Sequence, residues 1–550
     1  MLNEDDTHFF YTRNSFPHLS EKDIRDFIRQ YDGTQVGDFM LCCAGRIADY
    51  PSSVRDDYLD KFVQKTENGY PVDYSDHPVP HCVNRIYREL NLDFYAICID
   101  ELRRIGINPW LSVRMNDCHD NDKPTSFLHP NYYHEHPEYR RVRHHKPMSY
   151  YDRCYDYAVP EVHKLMLDTV EEIVFRYDVY GIELDWMREI FCFRIGHEYD
   201  GIEIINRLMQ DVRSILDRAG EKWRHPIRLA ARTLRDPQTA LDSGFDTLQW
   251  AREGLIDVLI PTPRWQTTDS DIPVEMWKRL LAGTDAKLAA GIEILQQASA
   301  GNNGGRFYTT TENVNALAAQ YLSGGADAVY LFNYMDQPHP EGLPADHAYS
   351  VRCSLEPDNY RRLLSTVGSL ETVMRAERRH VKTFADIGPV WYDKTKHAPL
   401  PLVVKAEQTG FLRMRVGAIP PEAAVELRLG IDEAQALAPE IYVNSKPCKY
   451  LRNETVVPAY TRNPAWVYSV ENDGSLPPFL VVEIIGGVKD TTIDYAEIHV
   501  TCCSHTLEDS QSDGELEWAA FRWDINEPQD RNERFASEEN HTECDVFNDR

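Results

Sequence analysis

Two acidic residues alternate with two aliphatic residues in the segment 180–189, which reads Tyr-Gly-Ile-Glu-Leu-Asp-Trp-Met-Arg-Glu. In a β-strand, Glu183 and Asp185 would point to one face while Ile182 and Leu184 point to the other. A strand that ends in two carboxylates suits acid–base or nucleophilic chemistry better than it suits a plain core. The segment therefore predicts one wall of a carboxylate-based active site.

A further acid, Glu293, follows Gly-Ile in a later strand-like run. Two carboxylates on opposite walls of a cleft suit glycosidic bond cleavage, because one protonates the leaving oxygen while the other attacks the anomeric carbon or activates water. We expect Asp185 to be the nucleophile or base, Glu293 the general acid/base, and Glu183 an alternate for either role. A separation of about 5–5.5 Å would indicate retention, and one of about 6.5–9.5 Å inversion.

The elements that must position these acids are short strand-like runs that alternate with amphipathic helical runs. Ser20 opens one helical run with a capping-box spacing, and Gly220 is expected to end another. This alternation predicts an α/β fold, a (β/α)8 TIM barrel, in residues 1–385. The eight predicted strands are Phe9–Asn14, Val36–Cys43, Asn108–Asn116, Tyr180–Asp185, Ile227–Arg232, Val258–Thr262, Leu288–Leu295 and Ala328–Tyr334.

Alternation along the predicted strands assigns further polar side chains to the barrel mouth, beside long loops at 44–87 and 118–159 that are expected to build a substrate cleft. Inward arginine and asparagine would bind sugar hydroxyls or a uronate, and tryptophan faces would stack on sugar rings. Arg114 and Arg232 could equally form a structural ion pair with Glu183. The predicted substrate-binding residues are Arg13, Asn14, Arg114, Asn116, His119, Trp186, Arg188, Arg232, Arg264, Trp265, Asn333 and Tyr334.

Beyond residue 385 the sequence changes to short strand-like runs separated by Pro, Gly, Asn and Asp. These runs predict a small antiparallel β-sandwich in residues 386–505, followed by an acidic tail in 506–550. The predicted strands are Leu400–Lys405, Phe411–Val416, Ala424–Leu429, Glu440–Asn444, Val467–Val470, Leu480–Ile485 and Tyr495–Cys502.

The overall composition restricts the classes of binding partner and the cellular compartment that we expect for the protein. The formal charge of −29 argues against nucleic acid and anionic membranes, because Lys and Arg supply the affinity for phosphate. The N-terminus lacks the pattern of a signal peptide, and no apolar run reaches the length of a membrane span. The 12 cysteines lack metal-type spacing, which favours free thiols in the cytoplasm. We expect no cofactor and a short oligosaccharide as substrate, while a homo-oligomer remains open.

Gly-Ile-Glu-Leu-Asp-Trp on the fourth strand, Gly-Ile-Glu on the seventh and a C-terminal β-sandwich resemble the bacterial glycoside-hydrolase-like TIM-barrel proteins. The resemblance extends over residues 5–500 in architecture and implies glycosidase activity. In the largest retaining glycosidase clan, strand four carries the acid/base as Asn-Glu; here Ile182 precedes Glu183, so that motif is not matched.

The α-galactosidase-like barrels carry a nucleophilic Asp on strand four, often beside Trp, and Asp185-Trp186 is similar to that pattern. The resemblance then implies that Asp185 is the nucleophile. Those barrels take their acid from strand six, where this sequence has Arg264 and no acid before Asp269. Glu293 is the acid/base that the resemblance leaves available.

Two other classes of function remain open at this point. One is a metal-assisted lyase or isomerase that uses Glu183, Asp185 and His119 as ligands. The other is a carbohydrate-binding barrel without catalytic activity. One loop also offers oxygen and nitrogen ligands that fit either a divalent ion or a solvated surface. Its candidate ligands are Asp117, His119, Asp120 and Asp122.

Overall fold

The computed structural model of the protein describes most of residues 1–502. The segments that lie outside the described residues are 6, 15, 64–65, 68–69, 72–76, 122–125, 142–152, 264–267, 299–305, 336–356, 384–397, 432–437, 456–463 and 503–550. Three sequence predictions therefore fall outside the description. They concern the acidic tail at 506–550, the substrate-binding pair Arg264 and Trp265, and the candidate ligand Asp122.

Eight parallel strands close into a barrel, as the sequence predicts. Each pairs with its neighbours in chain order, and the last closes on the first. Predicted strands two to eight are confirmed, with ends that differ by a few residues. The strands are β1 Leu2–Glu4, β2 Asp38–Ala44, β3 Asn108–Arg114, β4 Gly181–Asp185, β5 Arg228–Leu234, β6 Val258–Thr262, β7 Lys287–Glu293 and β8 Ala328–Phe332.

The prediction of the first strand is wrong. Residues His8–Arg13 form a helix, and the barrel strand is Leu2–Glu4, which pairs in parallel with both β2 and β8. Aromatic residues favour strands in general, but tertiary contacts override that preference here. The Arg13 guanidinium lies 5.1 Å from the ring centroid of Phe9, one helical turn earlier, and 5.0 Å from that of Phe27. Arg13 therefore packs in the helical layer.

The helices surround the barrel, and their termini largely follow the sequence signals. Ser20 and Asp23 form the predicted capping box. Gly220 does not end its helix, which continues to Trp223 and ends at Arg224 with φ of 64°. A Cβ on Gly220 would lie 2.9 Å from the carbonyl oxygen of His225. The glycine therefore allows the chain to turn back and pass close to the helix.

The helices are α1 His8–Arg13, α2 Glu21–Arg29, α3 Tyr58–Val63, α4 Pro78–Asn84, α5 Phe94–Arg104, α6 Asn131–Glu135, α7 Pro160–Arg176, α8 Glu198–Trp223, α9 Pro237–Asp242, α10 Thr247–Arg252, α11 Val274–Leu280, α12 Thr311–Ser323, α13 Pro357–Leu364 and α14 Leu370–Val373. Arg85–Glu89 continues α4 as a π-helical turn, and Pro137–Tyr139 is a 3₁₀ turn. Among the described residues, no helix has both the length and the apolar character needed to cross a membrane.

The barrel interior is filled by alternate residues of the strands. Trp110 on β3 lies across Gly181 on β4, where a Cβ would come within 2.3 Å of the indole ring. Large and small residues thus interdigitate inside the barrel. Leu111, Ile182 and Leu184 face the opposite way and join the core between barrel and helices. This parity is the one that the sequence predicts for β3 and β4.

The C-terminal strands form two antiparallel sheets around a shared apolar core, a β-sandwich as predicted. One sheet has the order β9-β18-β12-β16-β15 with β10 beside β18, and the other has the order β11-β17-β13-β14. The first of these strands begins at Arg378, within the segment assigned to the barrel from the sequence. The strands are β9 Arg378–Val381, β10 Leu402–Val404, β11 Thr409–Arg415, β12 Ala424–Ile431, β13 Ile441–Val443, β14 Lys446–Pro447, β15 Lys449–Glu454, β16 Ala465–Val470, β17 Phe479–Ile485 and β18 Thr491–Thr501.

Candidate active site

One arginine bridges the two acids that the sequence singles out. The Nη1 atom of Arg232 on β5 donates to both carboxylate oxygens of Asp185 on β4, at 3.0 and 3.2 Å. Its Nη2 atom donates to Oε1 of Glu293 on β7 at 2.8 Å. All three side chains are buried. The guanidinium also lies 3.6 Å from the ring centroid of Phe332 on β8, so one planar fork fixes both carboxylates at the same end of the barrel.

The two bridged carboxylates differ in their surroundings. Burial raises the pKa of Glu293 to about 7, against the opposing effects of Arg232 and Arg188. Its Oε2 atom is buried without a hydrogen-bond partner in the described part of the chain. Asp185, by contrast, accepts a further hydrogen bond of 2.9 Å from the backbone N–H of Met187. Glu293 is therefore suited to carry a proton near neutral pH, while Asp185 accepts three hydrogen bonds, two from Arg232 and one from Met187.

Glu183 lies one pleat deeper in β4, at the bottom of this cluster. Its Oε2 atom accepts a hydrogen bond of 3.1 Å from Asn3 on β1. The hydroxyls of Ser112 and Tyr330 approach it and lower its pKa without reaching hydrogen-bond geometry, since Oε1 has no such bond within the described chain. Burial, reinforced by the charge of Asp185, raises the pKa of Glu183 to about 7. Glu183 is placed to support Asp185 electrostatically.

A second polar cluster flanks the carboxylate pair on the β3 side. Arg114 donates to Asp5 at 2.8 Å and to Asp117 at 3.3 Å. Asp117 also bonds to Nδ1 of His119, whose Nε2 lies 2.7 Å from Nη2 of Arg188. Because arginine only donates, Nε2 of a neutral His119 accepts from Arg188 while Nδ1–H donates to Asp117. The structure thus brings the predicted residues Arg114, His119 and Arg188 into one chain of contacts.

His119 connects this cluster to solvent, because its side chain remains 38% exposed while that of Asp117 is 4% exposed. Two members of the site, Asn3 and Asp5, are absent from the sequence prediction. Asn3 lies in the first strand and Asp5 directly follows it, whereas the prediction placed this strand several residues too late. The available signal was the alternation of Leu2 and Asn3 before two acids, which is weak in so short a strand.

The structure excludes Trp186 as a sugar-stacking platform. The residue is fully buried, with ring centroids 5.4 Å from Tyr157 and 5.2 Å from Phe245. Its place two residues after Leu184 gives it the outward parity of the aliphatic residues on β4. Trp186 is therefore a core residue between the barrel and the helical layer.

Asn116 and Tyr334, both predicted to bind substrate, bond to the protein instead. The amide of Asn116 donates to the carbonyls of Tyr155 and Phe191, each at 3.1 Å, and accepts from the N–H of Tyr155 at 2.9 Å. It joins the loops that follow β3 and β4. The hydroxyl of Tyr334 donates to the backbone carbonyl of Glu293 at 3.0 Å. Both side chains therefore help to position the site through hydrogen bonds to its backbone.

The remaining predicted residues lie in three places. Asn333 leaves β8 in the left-handed conformation, with φ of 63°, and its Oδ1 atom has no hydrogen-bond partner in the described chain. Arg13 and Asn14 belong to the end of α1, where the Asn14 side chain lies 3.0 Å from Nδ1 of His81. They therefore do not stand at a strand end. Arg264 and Trp265 lie outside the described residues, as stated above.

The geometry gives no support to a divalent metal. Within the ranges that the structure describes, no group of three or more His, Cys, Asp or Glu residues is arranged to hold an ion. Asp185 is paired with Arg232, and His119 is bonded to Arg188. The guanidiniums beside Asp185 and His119 would repel a dication.

No protein-family model and no curated protein matches this sequence. Among solved structures, the chain is similar to α-L-fucosidase isoenzyme 2 of Paenibacillus thiaminolyticus, at 14% identity and a TM-score of 0.38, over 66% of this chain and 48% of that one. An Anoxybacillus α-amylase is 10% identical with a TM-score of 0.34, over 88% of this chain and 97% of that one. A cell-surface chitinase of a Paenibacillus species is 10% identical with a TM-score of 0.37, over 90% and 56%. The chain spans about half the length of the fucosidase.

Proposed function

We propose that the protein is a glycoside hydrolase that acts on short oligosaccharides with Asp185 and Glu293 as its catalytic pair. The observation that carries the proposal is the bridge of Arg232 between two buried carboxylates of different character. The proposed acid is the carboxyl whose burial raises its pKa to about 7, Glu293, and the proposed nucleophile or base is the one that accepts three hydrogen bonds, Asp185. A barrel core that served stability alone would gain little from burying three acids around one arginine.

In the proposed reaction, the protonated Glu293 donates to the glycosidic oxygen as the bond to the leaving group breaks. The anion of Asp185 attacks the anomeric carbon, or removes a proton from the water that attacks it. Arg232 holds Asp185 in place through both of its carboxylate oxygens. Glu183, whose pKa burial raises to about 7, lies below the pair as a second group that can exchange a proton near neutral pH. The configuration of the first-formed product, followed by NMR, distinguishes the retaining course from the inverting one.

The role of Glu293 is tested with Glu293→Gln on aryl glycosides of graded leaving-group acidity. A general acid contributes about 10²–10⁴-fold when the leaving group needs protonation. We expect a loss of this size with poor leaving groups and a much smaller loss with 2,4-dinitrophenolate, which departs without a proton. An equal loss across the series would contradict the acid role and indicate a structural one.

The role of Asp185 is tested with Asp185→Ala in the presence and absence of sodium azide. The variant should lose turnover by orders of magnitude on every substrate, and azide should restore part of it by forming a glycosyl azide in place of the hydrolysis product. Exposed Glu203 on α8 supplies the matched control, since Glu203→Gln should leave both kinetic constants unchanged. Wild-type rates in Asp185→Ala would refute the proposal, and saturable oligosaccharide binding without turnover by the wild type would replace it with a binding function.

A further inference from the structure

Three arginines are buried together in the loops that follow β2 and β3, behind the polar cluster of Asp117. Arg46, Arg55 and Arg140 are 5%, 7% and 6% exposed. Their hydrogen bonds go to carbonyls and to uncharged side chains, and no ion pair joins any of them to a carboxylate in the part of the chain that the structure describes. A buried charge without a counter-charge is costly, so this arrangement calls for an explanation.

The three guanidiniums retain donors that the protein does not use. Arg55 donates through Nη2 alone, to the carbonyls of Gly45 and Arg46 at 2.9 and 2.6 Å. Arg140 donates through Nη2 to the carbonyl of Tyr133 at 2.7 Å. The Nε atoms of all three arginines and Nη1 of Arg55 are buried without a hydrogen-bond partner among the described residues.

The positive charges converge on one region. The guanidinium carbons of Arg46 and Arg140 lie 4.5 and 4.1 Å from the ring centroid of Tyr133. The neighbouring His134 imidazole senses both, because burial and then the charges of Arg140, Arg46 and Lys61 lower its pKa to about 3. In a chain with a net charge of −29, a buried concentration of cations is a local exception.

Two acids that interact with these arginines, Asp117 and Asp49, are engaged elsewhere or largely protonated. The carboxylate of Asp117 is taken up by Arg114 and His119. Burial raises the pKa of Asp49, which faces Arg55, to about 8, so this group is mostly uncharged near neutral pH. The cluster therefore keeps positive charge, and several of its N–H groups have no hydrogen-bond partner within the described ranges, behind the polar cluster of Asp117.

We propose that Arg46, Arg55 and Arg140 form an anion subsite for a carboxylate or sulfate ester on the glycan substrate. Guanidinium forks match the oxygen geometry of both groups. A chain of contacts links the arginines to the carboxylate pair, since Arg46 donates to the carbonyl of Asp117 at 3.1 Å and Asp117 contacts Arg114 on β3, the strand next to Asp185. The identification of the anion as a glycan substituent rests on the proposed glycosidase function.

Isothermal titration of the full chain carrying Glu293→Gln tests the subsite without any need for turnover. Glucuronate, glucose 6-sulfate and inorganic phosphate are compared with uncharged glucose at constant ionic strength. We expect a sugar acid or sulfate to bind saturably and more tightly than glucose. Adding Arg55→Gln or Arg140→Gln should weaken that binding about tenfold each, whereas Arg103→Gln on the exposed surface of α5 should not.

Several outcomes would overturn the subsite. Equal binding of charged and uncharged sugars, or unchanged binding in the Arg55 and Arg140 variants, would show that the arginines only fasten the loops. Binding of inorganic phosphate alone would exclude a glycan substituent. If a glutamine variant does not fold cooperatively, Arg55→Lys and Arg140→Lys retain the charge but lose the fork, and they should weaken binding by a smaller factor. Anion binding with no hydrolysis by the wild type would contradict the proposed function and leave an anion site.

Discussion

The buried carboxyl of Glu293 should make the protein less stable as the pH rises, and replacing it with glutamine should remove that effect. Burial raises its pKa from 4.5 to about 7, so the folded state binds this proton more tightly than the unfolded state does. The stabilisation by the proton is fully present below pH 4.5 and is lost as the pH rises through 7. Glutamine keeps the shape and an acceptor for Arg232 but does not titrate.

The size of the effect follows from the two pKa values. A change from 4.5 to about 7 corresponds to about 3 kcal/mol of differential free energy. The free energy of unfolding of Glu293→Gln minus that of the wild type should therefore increase by about 3 kcal/mol between pH 4.5 and pH 8. Groups that titrate in both proteins largely cancel in this difference, which is the reason for comparing variants.

Urea unfolding followed by tryptophan fluorescence at pH 5, 6, 7 and 8 measures the difference directly. Glu203→Gln on the exposed face of α8 is the control, and its difference from the wild type should stay flat. A Glu293→Gln difference that also stays flat within about 0.5 kcal/mol would refute the claim that burial governs this carboxyl. The same proton is the one proposed to reach the leaving group, so kcat/KM of the wild type should fall above about pH 7.

Three further predictions concern the residues around the pair. Arg232→Gln leaves two buried carboxylates without their shared cation, so it should cost about 3–5 kcal/mol in urea unfolding and abolish turnover; a stable, active variant would contradict the bridge. Gly181→Ala places a Cβ 2.3 Å from the Trp110 ring and should cost about 1–3 kcal/mol, which a thermal melt compared with the wild type would detect. Asn116→Ala leaves buried backbone groups of Tyr155 and Phe191 without their hydrogen bonds, which should cost about 1–3 kcal/mol of stability for each group. It should also lower kcat/KM more than Asn116→Asp does.

Side-chain parity explains why the inward positions of Asp185, Arg232 and Glu293 could be predicted from the sequence. Alternation along β4, β5 and β7 places Asp185, Arg232 and Glu293 inside the barrel whatever the exact strand ends are. A closed parallel barrel then gathers the carboxyl ends of its strands at one rim. Composition alone gives no sign of this convergence. The prediction does not depend on the structure of the long loops.

At two other positions, parity alone does not identify the role of the side chain. Parity also assigns Trp186 to the outer core, but its aromatic ring and its position beside Asp185 suggested a sugar platform instead. Asn116 obeys parity and points inward, yet loop backbones that no local pattern identifies take up its amide. The prediction of β1 is wrong for a third reason. A strand of three residues, even with two partner strands, has almost no periodic signal in the sequence, so the sequence does not identify Asn3.

Several buried polar atoms of the carboxylate cluster lack a hydrogen-bond partner among the described residues, which bears on whether the cluster serves stability alone. An ion pair that only stabilises a core normally has all of its polar atoms bonded, since each buried polar atom left without a partner costs about 1–3 kcal/mol. Here Oε2 of Glu293, Oε1 of Glu183, the hydroxyl of Tyr330 and Oδ1 of Asn333 all lack a hydrogen-bond partner in the described chain. Glu183, Glu293 and Tyr330 belong to β4, β7 and β8 and interact electrostatically with Arg232, while Asn333 directly follows β8. Such a set is costly for folding alone, and sugar hydroxyls are the kind of ligand that would satisfy it.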